Sequence, residues 1–313
     1  MENQVRDQND GLDRLAGAAE TFIKQERWSR RWSNLLKLAV IVYLVGSIAI
    51  FTGQFVDDAP TSSTKHVAIV NLQGTIMPGS QTSADTINPL LQKAFKNPDS
   101  EAVIIKANSP GGSPVQSALI NDEITRLKQR YNKPVYVVVQ DMCASGCYYI
   151  AVAADQIYAN KGSIIGSIGV RMDVLGFTGL MEKLGIENRS MHAGDHKTFI
   201  NPLGPKDEAG RKFFKERVLE KTHQQFIETV RQGRGERLIE TEDTYTGLVW
   251  LGDEATEIGL IDGLGDIGYV KRDILKQTNT RVYEAEKSLL EQFMGDFAAQ
   301  TATQLGLYLN SLK

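Results

Sequence analysis

The sequence predicts an α/β domain on a mostly parallel sheet, preceded by one membrane-spanning helix. Three observations lead there. Short β-branched runs alternate with segments of helical period through most of the chain. The run Pro134 to Val139 (PVYVVV) is apolar at nearly every position, as expected of a strand covered on both faces. An uncharged stretch, Leu38 to Gly53, stands apart near the N-terminus. The 313 residues are 42% hydrophobic and 23% charged, with 28 glycines and 9 prolines, which excludes disordered, collagen-like and disulfide-stapled chains. A net charge of -3 gives no reason to expect a nucleic-acid partner, and 4 histidines with 2 cysteines leave little material for a metal site.

Residues 1–34 read as a cytoplasmic segment and 35–56 as a signal-anchor helix. About 20 residues rising about 1.5 Å each cross a hydrocarbon layer of about 30 Å. Lys37 sits near one end, where its stem can snorkel to the headgroups. Lys24, Arg27, Arg30, Arg31 and Lys37 precede or open the span, while Asp57 and Asp58 follow it. Positive-inside bias leaves the N-terminus in the cytoplasm and exports the rest. Trp28 and Trp32, one helical turn apart, suit an interfacial helix. No Ala-x-Ala cleavage site follows the apolar run, so the anchor is expected to stay.

Residues 57–65 (DDAPTSSTK) read as a linker and 66–280 as the exported domain. His66 to Leu72 is a strand stopped by Gly74. Ala102 to Ala107 is a second strand, followed by NSPGG and a helix carrying Val115, Leu119, Ile120, Ile124 and Leu127. The strand from Pro134 runs into a small-residue helix after Ser145. Gly210 to Val230 predicts a long helix with Phe214, Val218 and Phe226 on one side. Residues 281–313 read as an amphipathic helical extension, with Leu290, Phe293, Phe297, Leu305, Leu309 and Leu312 as its apolar positions.

Two strand-to-helix corners can carry chemistry. At Asn108-Ser109-Pro110-Gly111-Gly112, paired glycines let the backbone turn sharply and present N–H groups to a phosphate, a thioester carbonyl or an oxyanion; an ordinary tight turn is the plain alternative. At Ala144-Ser145-Gly146, a serine between small residues resembles the mechanics of a nucleophile elbow without its GxSxG pattern, and a helix N-cap is the plain alternative. Parallel strands would bring both corners to one sheet edge, where open α/β folds bind ligands. A serine needs a base. His66 and His223 read as packing or surface residues. His196 and Lys197 (MHAGDHKTF) remain equal candidates, the lysine needing burial, with Phe199, Ile200 and Leu203 beside it, to work at neutral pH. Cys143 and Cys147 bracket the serine and are expected to be buried as small hydrophobes, since cysteines spanning such a corner usually lie too far apart or point apart.

NSPGG (Asn108 to Gly112), MCASGCYYIAVAADQIYA (Met142 to Ala159) and GSIIGSIGV (Gly162 to Val170) together resemble the bacterial signal peptide peptidase A family, membrane-anchored serine proteases with a ClpP/crotonase-like fold. GDHKTFINPL (Gly194 to Leu203) is similar to that family's lysine segment, and VWLGDEATEIGLIDGLG (Val249 to Gly265) to its C-terminal signature. The resemblance implies a repeated β-β-α superhelical core, Ser145 as nucleophile, Lys197 as general base, and the N–H groups of Gly112 and Gly146 as oxyanion hole. It makes His196 a bystander and calls for no cofactor and no metal. Cys147 departs from the glycine more usual there. Implied substrates are remnant signal peptides and misfolded exported proteins at the bilayer; the implied assembly is an octameric ring of single-module chains in the bacterial inner membrane, with the catalytic domain periplasmic. Two other readings compete: a silent scaffold of the same fold, and a tethered crotonase-like thioester enzyme that uses the Gly112 corner without Ser145.

The anchor makes a direct prediction. Protease added from the exported side should shorten the protein while leaving about the first 30 residues protected, as a retained single-pass anchor requires. A mature chain beginning after residue 57 would refute it.

Overall fold

A computed structural model describes residues 35–43 and 64–284. Residues 35–43 form a helix with exposed side chains. Among the described residues no helix is long and apolar enough to cross a membrane. The remainder of the expected anchor, the interfacial tryptophans, most of the linker and the C-terminal extension from residue 285 lie outside the described residues.

Residues 64–284 are built on one sheet of eight strands. Six follow the order β6-β5-β3-β2-β1-β8, with β4 paired to β3 and β7 to β4. The strands are β1 (His66–Gln73), β2 (Ser100–Ser109), β3 (Val135–Ala144), β4 (Gln156–Ala159), β5 (Ile164–Gly166), β6 (Val249–Leu251), β7 (Gly263–Leu264) and β8 (Thr280–Tyr283). Every pairing is parallel except β5 with β6. The expected parallel α/β class therefore holds, with one antiparallel edge strand. β8 pairs with β1 and carries the fold through Tyr283, past the expected boundary at residue 280.

Alternation within the strands explains the two-sided core. Ala68, Val70 and Leu72 of β1 face the main cluster, while Val67 and Ile69 face a smaller one with Ala102, Ile104, Val138, Tyr158 and Val270. The main face is covered by α1 (Ala84–Lys96), α2 (Pro114–Tyr131) and α3 (Gly146–Ala151). In α2 the inward positions are Ile120, Ile124 and Leu127; Val115 and Leu119, expected with them, are exposed. Val115 lies on the first turn and lines the cleft described below. Ser113 caps α2, accepting from the Gln116 N–H, and Pro114 fills its first turn, where no amide donor is needed.

The helix expected over 210–230 is longer and broken in register. It comprises α4 (Glu208–Phe214), a π turn over Lys215–Leu219 and α5 (Glu220–Arg234). Only its second half meets the core, through Phe226, Ile227 and Val230; Val218 is exposed and Phe214 half-buried.

The glycine-rich segment after β6 is held by a buried ion pair. Arg234, 1% exposed, donates to both carboxylate oxygens of Asp262 at 2.8 and 3.1 Å and to the Gly259 carbonyl at 2.8 Å. Asp262 also accepts from Arg237 and from the Ile157 N–H at the start of β4. Burial opposes the ionised carboxylate, but these donors outweigh it and hold the Asp262 carboxyl below its ordinary range. Asp262→Ala strands the Arg234 charge and should cost about 3–5 kcal/mol in chemical denaturation. Because the folded value is depressed, the carboxylate's contribution is complete well above the unfolded value of about 3.9 and is lost as pH falls through the lower folded value. The gap between wild type and variant should narrow over that acid range.

Candidate active site

The two corners do meet. Ser109 and Cys143 are register partners at the carboxyl ends of β2 and β3, and the chain after each turns into a helix beyond the sheet edge. The loop after β1 joins them: the Ile76 N–H donates to the Gly111 carbonyl at 2.9 Å, and the Ser113 N–H donates to the Ile76 carbonyl at 2.7 Å. That bridge uses the carbonyl before Gly112 and the N–H after it, so the Gly112 N–H lies outside the ladder. Gly112 has φ 155°, and a Cβ there would overlap the Ile76 carbonyl. Only glycine lets the two backbones lie this close.

Ser145 sits at φ 54° and ψ -121°, a conformation that costs a non-glycine residue about 1–3 kcal/mol. Its N–H donates to the Gly166 carbonyl at 2.7 Å and its carbonyl accepts from Tyr149 N–H at 3.0 Å, which pins the corner from both sides. The hydroxyl makes no capping bond to α3, so the N-cap alternative fails. Gly146 follows at the first position of α3, where an N–H has no intrahelical acceptor. A Cβ on Gly146 would lie 3.2 Å from the Gly112 nitrogen and would collide with Ser117 Oγ. The two backbone amides are therefore neighbours beside the Ser145 side chain.

Ser145, Gly112 and Gly146 line a cleft of about 980 Å³. Val115, Ala118, Tyr149 and Phe226 supply an apolar wall, and the Tyr149 and Phe226 rings lie 5.2 Å apart. Thr246 and Gly247 close the side toward the sheet's edge strand β6, and Ser167, at φ 51°, faces the same space. Sequence reasoning missed Ser167 as a site residue. Its signal was available in GSIIGSIGV, because β5 pairs with β3 right up to Ala144 and so must deliver residue 167 beside Ser145.

The candidate bases are elsewhere. Lys197 and His196 are both exposed in a turn, with the Lys197 N–H donating to the Gly194 carbonyl at 3.1 Å, and neither lines the cleft. Among the described residues the flank expected to desolvate Lys197 does not cover it: Phe199 and Ile200 are half-buried and Leu203 is exposed. His196 packs its ring 4.6 Å from Phe199. His66 is buried against Tyr283, and His223 Nε2 lies 3.1 Å from the Ile168 carbonyl, so both serve packing.

Cys143 and Cys147 correct the sequence expectation. Both are buried, as expected, but they form a disulfide, with Cα atoms 5.1 Å apart. The reversal at Ser145 is the reason: a left-handed residue midway turns the helix start back over the strand end, so the two side chains converge.

The family model for peptidase family S49 matches residues 127–281. The chain belongs to peptidase family S49. The match takes in Ser145, the segment containing Lys197, and the lock at Asp262. Among curated relatives, the chain is 37% identical over 230 residues to a protein named Na(+)/H(+) antiporter NhaA from Brucella melitensis, covering 72% of this chain and 31% of that protein. It is 30% identical over 246 residues to Protease 4 of Haemophilus influenzae, covering 76% and 39% respectively. It is 31% identical over 175 residues to a putative signal peptide peptidase SppA of Enterococcus faecium, covering 56% and 50%. The S49 chain thus spans about a third to a half of the length of these relatives.

The close approach at Gly112 is directly testable. Gly112→Ala should lose stability by several kcal/mol, because it combines an unfavourable φ with a backbone collision. Gly79→Ala, at φ 74° with nothing within 4 Å of its Cβ, should lose only the backbone part, about 1–2 kcal/mol. Equal losses in urea titration would mean that Gly112 is not wedged against Ile76.

Proposed function

We propose that this chain is a membrane-anchored serine endopeptidase working through a Ser145/Lys197 dyad on a ClpP/crotonase-like core. The observation that carries the reading is the Ser145 corner: an uncapped hydroxyl on a strained turn, two neighbouring backbone N–H groups, and an open cleft. Membership of a peptidase family and relatives named as proteases support it.

In this mechanism Lys197 Nζ, as the free amine, takes the proton from Ser145 Oγ while that oxygen attacks the scissile carbonyl carbon. The oxyanion accepts from the Gly112 and Gly146 N–H groups, whose fixed positions cost no reorganisation. Collapse passes the lysine's proton to the leaving amine and leaves an acyl ester on Ser145. Water, deprotonated by the same amine, then releases the second product. The apolar wall of Val115, Ala118, Tyr149 and Phe226 suits apolar peptides, which favours remnant signal peptides and misfolded exported segments as substrates.

Lys197 reaches a serine in this scheme through assembly. Residues 171–206 carry exposed apolar side chains, among them Leu175, Leu180, Leu184, Ile186 and Met191, more than an isolated soluble surface usually leaves together. Packing this segment against a second copy would cover those side chains and desolvate Lys197, and a closed ring, eight in the single-module form, would repeat the contact without leaving ends. The Cys143–Cys147 disulfide supports an exported domain, since such bonds persist in oxidising compartments.

Ser145→Ala and Lys197→Ala should each lower hydrolysis of an apolar peptide by about 10³-fold or more without unfolding the chain, and the double variant should be no worse than either alone. His196→Ala should stay within about threefold of wild type. Mixing the two inactive chains should restore activity if Lys197 serves a neighbour's Ser145. Wild-type hydrolysis no higher than that of either single variant would favour a silent scaffold, and thioester hydrolysis retained in Ser145→Ala would favour the thioester chemistry.

A further inference from the structure

We propose that the Cys143–Cys147 disulfide is a positioning clamp for the nucleophile, holding Ser145 and the Gly146 N–H in their reactive arrangement. This rests on the reading of Ser145 as nucleophile. Cys143 is a rigid anchor point: it stands in the central strand β3, paired with Ser109 of β2 on one side and Ile165 of β5 on the other. Cys147 is the second residue of α3, next to the amide assigned to the oxyanion hole. The bond therefore ties the free end of a six-residue helix to the best-anchored point of the sheet, and the chain it encloses is Ala144-Ser145-Gly146.

The enclosed residue is the one that needs holding. Ser145 is a non-glycine residue at positive φ, a state that persists only where its surroundings over-determine it. The hydrogen bonds to the Gly166 carbonyl and from the Tyr149 N–H constrain its peptide groups, while α3 itself is too short to be stable alone. A disulfide across a sequence separation of 4 closes a very small loop, so it restricts the unfolded chain less than a long-range crosslink would. Its effect is concentrated on the corner. Both cysteines are fully buried, so this is a constitutive brace.

The test uses the full-length protein, oxidised and assembled. Iodoacetamide under denaturing, non-reducing conditions should add no mass at either cysteine of wild type. The Cys143→Ala/Cys147→Ala variant should keep KM within about threefold while kcat drops about tenfold or more, and Ser145 labelling by a fluorophosphonate should slow in parallel. A structural role alone would lower the melting temperature and leave both rates unchanged well below it, and that result overturns the clamp. So does a wild-type protein with two alkylated thiols. Cys143→Ser/Cys147→Ser provides a second folded background; if neither variant folds, the bond serves global stability and the positioning role is wrong. Absence of any wild-type label on Ser145 would instead overturn the nucleophile reading, which separates the two failures.

Discussion

The close approach of two backbones at one sheet edge is the constraint on which the rest of this structure depends. The Gly111–Gly112 turn lies against the Ala144–Gly146 turn with no room for an added side chain, and the Ile76 loop locks it there. That contact needs β2 and β3 in parallel register, a bulge before Ser109, and glycine at residue 112. It also needs Ser145 in a conformation that serine disfavours. The fold meets that cost locally, through β5 on one side, α3 on the other, and a disulfide across the corner.

The distant parts follow from the same demand. α3 must stay seated for the Gly146 amide to hold its place, and Tyr148 seats it by donating to the Leu260 carbonyl at 2.6 Å. Leu260 is held in turn by the segment around the Arg234–Asp262 pair. A buried charge pair far along the chain thus supports the helix that begins at Gly146. This gives the C-terminal glycine-rich signature a physical role beyond its glycines.

Local pattern made the parallel strands legible: β-branched runs covered on both faces have few other solutions, and the two corners were visible as glycine and serine at strand ends. The sequence did not reveal what depends on backbone direction. Ser167 acquires its place from β5 pairing, and β8 is a short strand whose TRVY carries little apolar signal. The cysteine pairing escaped for the same reason, since the positive φ at Ser145 redirects side chains that an ordinary corner would hold apart. The break in the long helix at Lys215–Leu219 was hidden because neither proline nor glycine marks it. Lys197 is legible as a motif and not as geometry: its segment leaves apolar side chains uncovered among the described residues.

Whether Ser145 is the nucleophile is measured most directly by rapid-quench mass analysis of full-length protein with an activated peptide ester, followed by peptide mapping. Such an ester acylates the nucleophile faster than water clears it, so the intermediate accumulates. One acyl group per chain is expected in the burst, carried on Ser145. Turnover with no adduct, or an adduct mapped to any other residue, would contradict it.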